Sequence, residues 1–246
     1  MKKIKLRTLL LAALLVLFTS NVEAQYKKSG NSVVWSIDLK STFKDKIDLK
    51  QRYQSEIDAI YAKKGDKNLT KDLDVLFVGS SSIRGWRSVY EDMKPLRVLN
   101  NGFGGATIRD ILYRYDKVVK PFKAKKVVLY VENDITNEDA LDTYIILDLF
   151  RLFTQKVQKD FPGVKVFIVS FKPSPSRAGV LAKQILINNM LEAYAANSDG
   201  VEYIDVSKAM MPSGVIDTTI FLNDKLHMNA KGYKLWTDII KPELIK

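Results

Sequence analysis

The chain has no cysteine and a single histidine, His227. Without cysteine there is no disulfide framework, no thiolate nucleophile and no sulfur ligand for a metal. One histidine is too few to build a zinc site. The longest apolar run, Leu9 to Phe18, is about half the ~20 residues that a membrane-spanning helix needs. Internal repeats, low-complexity tracts and a phosphate-binding loop are also absent, so solenoids, structureless tails and P-loop chemistry drop out.

What precedes and follows that apolar run gives it a meaning. Lys2, Lys3, Lys5 and Arg7 lie before it and Val22-Glu23-Ala24 after it, so residues 1–24 read as a secretory signal peptide. A retained anchor is the alternative; the lack of a cysteine beside the cleavage site excludes a lipoprotein. The full chain carries net charge +11, with 39 Lys+Arg and 28 Asp+Glu. Removing the leader's four basic residues and one acidic residue leaves 35 against 27, or +8. These charges are scattered over lysine-rich helix faces rather than interleaved with aromatics, so nucleic acid is not an expected partner. Weak attraction to anionic glycans, cell-wall polymers or lipid head groups is compatible with them. The 222 of 246 residues beyond position 24 suffice for one domain with a substantial core.

Leu49, Tyr53, Ile57, Ile60 and Tyr61 recur at helical spacing, which predicts an amphipathic helix over roughly Asp45–Lys64, within an N-terminal extension spanning 25–69. The main domain is expected over 70–246. Five short apolar runs follow, Val75–Val78, Val98–Leu99, Val127–Val131, Val164–Val169 and Val201–Ile204. Continuous rather than alternating hydrophobicity suits strands covered on both faces. Helical patterns lie between and after them, over Ile83–Met93, Ile108–Val119, Leu141–Phe161, Ala178–Ala196 and Ala230–Ile240. Strand and helix in alternation predict a three-layer αβα sandwich around a five-stranded parallel sheet, with its site at the C-terminal ends of the strands.

Three suggestive loops fall at such ends: Gly79-Ser80-Ser81-Ser82, Asn100 to Thr107, and Glu132-Asn133-Asp134. Each has an ordinary explanation. Serines cap helices, glycines turn the chain, and Asn-Asp ends strands. A dinucleotide fingerprint fails, because Thr107 stands where its third glycine belongs. Near the C-terminus Asp224-Lys225-Leu226-His227 places a carboxylate three residues before the only histidine. On a helical turn or tight loop those side chains face one way, so Asp224 can hold one ring nitrogen and leave the other free as a base. A serine at a strand end would complete a nucleophilic triad.

In this order, four blocks resemble the SGNH (GDSL-type) hydrolase superfamily over nearly the whole mature domain. They are Val75 to Trp86 in a Gly-Ser-Ser-Ser-Ile-Arg variant, Gly102-Phe103-Gly104-Gly105, Asn133-Asp134, and Asp224 to Asn229. The resemblance implies a flavodoxin-like sandwich and a serine esterase needing no metal or cofactor. It implies Ser81 as nucleophile, His227 as base and acid, and Asp224 as its orienting partner. The Ser81 N–H, the Gly105 N–H and the Asn133 amide would form the oxyanion hole, with Ser82 capping the next helix. Two positions depart from the pattern: Ser80 stands where many members have aspartate, and Val131 replaces the glycine of the third block. The substrates implied are small acyl esters. Export and the lack of a long apolar lid favour O-acetyl or other short acyl groups on glycans over lysophospholipids or thioesters. No membrane insertion is expected after leader removal. The rival readings are a non-catalytic glycan binder, whose hallmark would be loss of Ser81 or His227, and a flavodoxin-like nucleotide binder. Arg177, in the stiff Phe171–Arg177 loop, is expected to meet a neighbouring carboxylate rather than an anionic substrate.

Overall fold

A computed structural model describes residues 25–29, 32–36, 48–136 and 140–246; the expected signal peptide lies outside them. Two compact units emerge, Met1–Lys44 and Asp45–Lys246. The first contains an antiparallel pair, β1 (Gln25–Ser29) and β2 (Ser32–Ser36), with Ser29 opposite Ser32. The sequence reading did not anticipate this hairpin.

The second unit begins earlier than the expected boundary at residue 70. Helix α1 (Gln54–Ala62) buries Ile57 and Ile60 and so belongs to the main body rather than to an extension. It is also shorter than the expected Asp45–Lys64. Residues 49–53 form turns, held because the Arg114 guanidinium donates to the carbonyls of Leu49, Lys50 and Arg52 at 2.7, 2.8 and 3.0 Å. A short helix α2 (Lys67–Thr70) leads into the sheet.

All five expected strands form, as β3 (Leu73–Gly79), β4 (Val98–Gly102), β5 (Ala124–Tyr130), β6 (Lys165–Val169) and β7 (Val201–Ile204). They pair in parallel in the order β4-β3-β5-β6-β7. Successive side chains alternate across the sheet. On one face Val75, Phe77, Val128, Tyr130, Phe167 and Val169 pack with Trp86, Met93, Trp236 and Ile240. Leu76, Val78, Leu129 and Ile168 are equally buried on the other. The strand order reverses between β3 and β5, and a crevice opens beyond the strand ends at such a reversal.

The helices are α3 (Ser81–Arg84), α4 (Val89–Asp92), α5 (Ile108–Tyr113), α6 (Tyr115–Val118), α7 (Thr143–Asp160), α8 (Leu181–Ala196) and α9 (Ala230–Ile245). Two expected helices are each broken. The first yields α3 and α4 because Trp86 turns fully into the core, its indole N–H donating to Asp92 at 2.6 Å. The second breaks at Arg114, which leaves helical geometry (φ −96°, ψ 7°). The last runs past its expected end and through Pro242, since Ile240 and Leu244 are both buried and hold the final turn in place. Among the described residues no helix is long and apolar enough to cross a membrane.

Candidate active site

Strand β3 delivers the nucleophile candidate. Gly79 ends the strand opposite Tyr130 of β5, and a Cβ there would fall 2.0 Å from the Tyr130 carbonyl oxygen. Only glycine lets the two backbones pass this closely. The Ser80 N–H donates to that same oxygen at 3.1 Å, and Ser80 is the extended residue before α3. Ser81 is therefore the first helical residue, partly exposed, while Ser80 and Ser82 are buried. The expectation that Ser82 caps the helix is not met. It lies inside the turn, where its carbonyl accepts from the Tyr233 hydroxyl of α9 at 3.0 Å.

The histidine arrives on a loop rather than a helix. Leu222 N–H donates to the His227 carbonyl at 2.8 Å, Phe221 bridges Met228, and Lys225 takes the left-handed conformation at φ 56°. The bend lets Asp224 Oδ1 accept from the backbone N–H groups of Leu226 and His227, both at 2.9 Å. Asp224 Oδ2 is then 2.6 Å from His227 Nδ1, and His227 Nε2 is 3.1 Å from Ser81 Oγ. Partial desolvation raises the Asp224 pKa, but the His227 ring and the two backbone donors outweigh it and hold the carboxyl at about 2. The carboxylate thus stays ionised beside the imidazole, fixing its tautomer and orientation.

The Gly-rich loop after β4 is built by removing its other donors. Phe103 N–H bonds Gly79 O at 3.0 Å, Gly102 N–H bonds Asn100 Oδ1 at 3.0 Å, and Gly104 N–H bonds the Glu56 carboxylate at 3.1 Å. Glu56 also pairs with Arg84 of α3 at 3.0 Å, tying this loop to the nucleophile's helix. Gly105 has φ +69°, and its carbonyl accepts from the Tyr53 hydroxyl at 3.0 Å. Among the described residues the exposed Gly105 N–H makes no hydrogen bond, nor does the Ser81 N–H at the head of α3.

The third loop is held from below and from the side. Asp134 is fully buried, pairs with Arg109 at 2.9 Å and accepts from Ile108 N–H at 2.7 Å. Burial pushes its carboxyl up to about 6, with Arg109 and the backbone donor pulling the other way. Asn133 Nδ2 donates to Ala106 O at 2.7 Å, which binds the third loop to the second. Its Oδ1 accepts from Arg177 Nη2 at 2.5 Å. Arg177 meets a carboxylate, as expected: its Nη1 lies 2.6 Å from Glu132 Oε1. Lys172, almost fully buried, approaches the same oxygen at 3.3 Å. Desolvation pushes the Lys172 ammonium below its ordinary pKa, with Glu132 opposing.

The structure therefore brings Ser81, Asp224 and His227 into one hydrogen-bonded chain and gathers Gly105 and Asn133 through Ala106. Sequence reading overlooked Tyr53, Glu56, Glu132 and Lys172. Glu132 gave no signal beyond its place before Asn133-Asp134, Tyr53 only a helical period, and Glu56 none.

A serine, a histidine and a carboxylate in hydrogen-bond sequence at the switch point of a parallel sheet define a serine hydrolase of the α/β class. Residues 65–235 match the model of the GDSL-like lipase/acylhydrolase family, and the chain belongs to that family. It is an esterase of the SGNH type. A curated relative, the alpha2 subunit of platelet-activating factor acetylhydrolase IB from Rattus norvegicus, is 25% identical over 171 residues, covering 66% of this chain and 72% of the relative. Among solved structures, a GDSL-like lipase from Bacteroides thetaiotaomicron superposes with TM-score 0.64 at 21% identity, covering 80% of this chain and 97% of that one. An acetylxylan esterase from Geobacillus stearothermophilus gives TM-score 0.59 at 13% identity, covering 71% and 96%. These two likenesses establish the fold.

Proposed function

We propose that the protein is an exported esterase that removes O-acetyl or other short acyl groups from carbohydrate, with Ser81, His227 and Asp224 as its triad. The observation that carries the proposal is the continuous path from Asp224 Oδ2 through the imidazole to Ser81 Oγ, at 2.6 and 3.1 Å. Ser81 Oγ attacks the ester carbonyl while His227 Nε2 takes the hydroxyl proton. The tetrahedral intermediate collapses, the carbon–oxygen bond to the alcohol breaks, and His227 returns the proton to that alcohol. Water then enters by the same route reversed and releases the acid and free Ser81. The unpartnered N–H groups of Ser81 and Gly105, with the second hydrogen of the Asn133 amide, are the donors available to the developing oxyanion.

The short acyl group has support from two sides. Acetyl is the group named for both the platelet-activating factor acetylhydrolase and the acetylxylan esterase. The catalytic loop is also shallow, with the His227 and Asp224 side chains 38% and 47% exposed, which suits a bulky polar alcohol left largely outside. Export rests on the leader pattern in residues 1–24.

The test is hydrolysis of p-nitrophenyl esters of rising chain length alongside acetylated xylan and other O-acetylated polysaccharides. The proposal expects acetyl to be preferred and free acetate to be released from at least one glycan. Preference for long acyl chains, with no acetate released from any glycan, would defeat it. Intact mass of the exported protein, expected to begin at or near Gln25, checks localisation.

A further inference from the structure

Glu132 has no place in the reaction as drawn, yet it sits between the two halves of the site. Its side chain is 3% exposed, and two cations close on its Oε1, Arg177 at 2.6 Å and Lys172 at 3.3 Å. Gln184 of α8 approaches Oε2 at 3.4 Å. A buried carboxylate with two cations is expensive to desolvate, and where only stability is at stake apolar residues serve as well. What distinguishes this cluster is where its cations reach next.

Arg177 extends its other terminal nitrogen to Asn133 Oδ1 at 2.5 Å. Lys172 donates to the carbonyl of Leu226, the residue immediately before His227, at 2.9 Å. A guanidinium holds its donors in one rigid plane, so gripping Glu132 with one arm sets the position of the other. An Oδ1 engaged by Arg177 also decides which way the Asn133 amide faces, leaving Nδ2 to Ala106 and the cleft. The histidine loop needs an equivalent anchor, because Asp224 and Lys225 are exposed. Lys172 supplies one from beneath, and Ser176 N–H adds a second at the Lys225 carbonyl, at 3.1 Å.

We infer that Arg177 and Lys172, held together by Glu132, are positioning residues for the ester hydrolysis: Arg177 aims the Asn133 amide, and Lys172 seats the peptide that carries His227. The inference rests on the roles proposed above for Asn133 and His227. It also explains how a third block with Val131 in place of glycine still presents its asparagine, since the orientation comes from a charged clamp instead of from loop flexibility.

The experiment is a mutant cycle in the full-length protein, with kcat and KM measured separately on p-nitrophenyl acetate and melting temperature recorded for every variant. Arg177→Gln is expected to lower kcat about tenfold with KM within about twofold. In an Asn133→Ala background the same change should have no further effect on kcat, because the amide it aims is gone. Lys172→Met should lower kcat in both backgrounds, since it acts through the histidine loop. Arg177→Lys covers the case in which Arg177→Gln fails to fold. It keeps a cation beside Glu132 and should restore melting temperature while leaving kcat low, for want of the second arm. Arg177→Gln acting by its full factor in the Asn133→Ala background, or Arg177→Lys recovering kcat along with stability, would overturn the inference. Asn133→Ala with wild-type kcat would remove the amide's own role and the inference with it, a failure visible without any change at Arg177.

Discussion

Ser81 Oγ and His227 Nε2 lie 3.1 Å apart although 146 positions separate the two residues in the chain. The distance is set by two independent supports. The Gly79–Tyr130 contact fixes the turn that carries the serine, and the Asp224-centred bend fixes the histidine loop.

Ser81→Ala and His227→Ala should each abolish nearly all esterase activity without unfolding the protein. Both belong to one catalytic unit, so the double variant should be little worse than either single. Turnover of p-nitrophenyl acetate, with circular dichroism as the folding control, decides this. Activity surviving in Ser81→Ala but lost in Ser80→Ala or Ser82→Ala would show that the wrong serine has been chosen.

Asp224→Asn should lower kcat by about 10²–10⁴ with little change in KM, because the carboxylate acts on the imidazole rather than on the substrate. The pH dependence follows from the same contact. The Asp224 carboxyl is held at about 2, below its ordinary 3.8, so it remains ionised as pH falls and is protonated only near that lower value. No ionisation between pH 4 and 7 should therefore belong to Asp224. An NMR titration of the Asp224 carboxyl carbon with its inflection in that range would contradict it.

Asn133→Ala should reduce kcat by about 10²–10³ while leaving KM nearly unchanged, if its amide meets the oxyanion. The side chain already bridges to Ala106 at 2.7 Å, so the loop has not swung away from the site despite Val131. A kcat loss under about fivefold, below roughly 1 kcal/mol, would remove Asn133 from the oxyanion hole.

Gly79→Ala should destabilise the fold by about 3 kcal/mol, because its Cβ meets a backbone oxygen at 2.0 Å and both strands must shift. Gly179→Ala is the control. No atom lies within 4 Å of a Cβ built there, and its effect should stay within about 0.5 kcal/mol. Equal denaturation midpoints for the two variants would contradict the steric account.

The sheet was legible because burial on both faces leaves a strong trace: runs such as Val75–Val78 and Val201–Ile204 need no tertiary information to be read as strands. Helix limits were less legible. Nothing local in Ile83–Met93 says that Trp86 must leave the helix for the core, and nothing in Asp45–Lys64 says that Arg114, more than fifty residues on, will take up the carbonyls of Leu49, Lys50 and Arg52. The hairpin of β1 and β2 did leave a turn signal, Gly30-Asn31 between the two runs, but Gln25–Ser29 and Ser32–Ser36 lack the regular apolar–polar alternation that would have marked them as strands.

The order of blocks around Ser81, Gly105, Asn133 and Asp224-Lys225-Leu226-His227 already contained the class of chemistry, since nucleophile, base and acid are fixed by residue type and the last two by a spacing of three. What the sequence could not contain is the Glu132 cluster. Its members, Glu132, Lys172 and Arg177, come from the ends of β5 and β6 and form no motif together. Only folding brings them close, and only burial gives their charges weight: in water such contacts are screened, whereas beneath the site they hold Asn133 and the peptide before His227 in place.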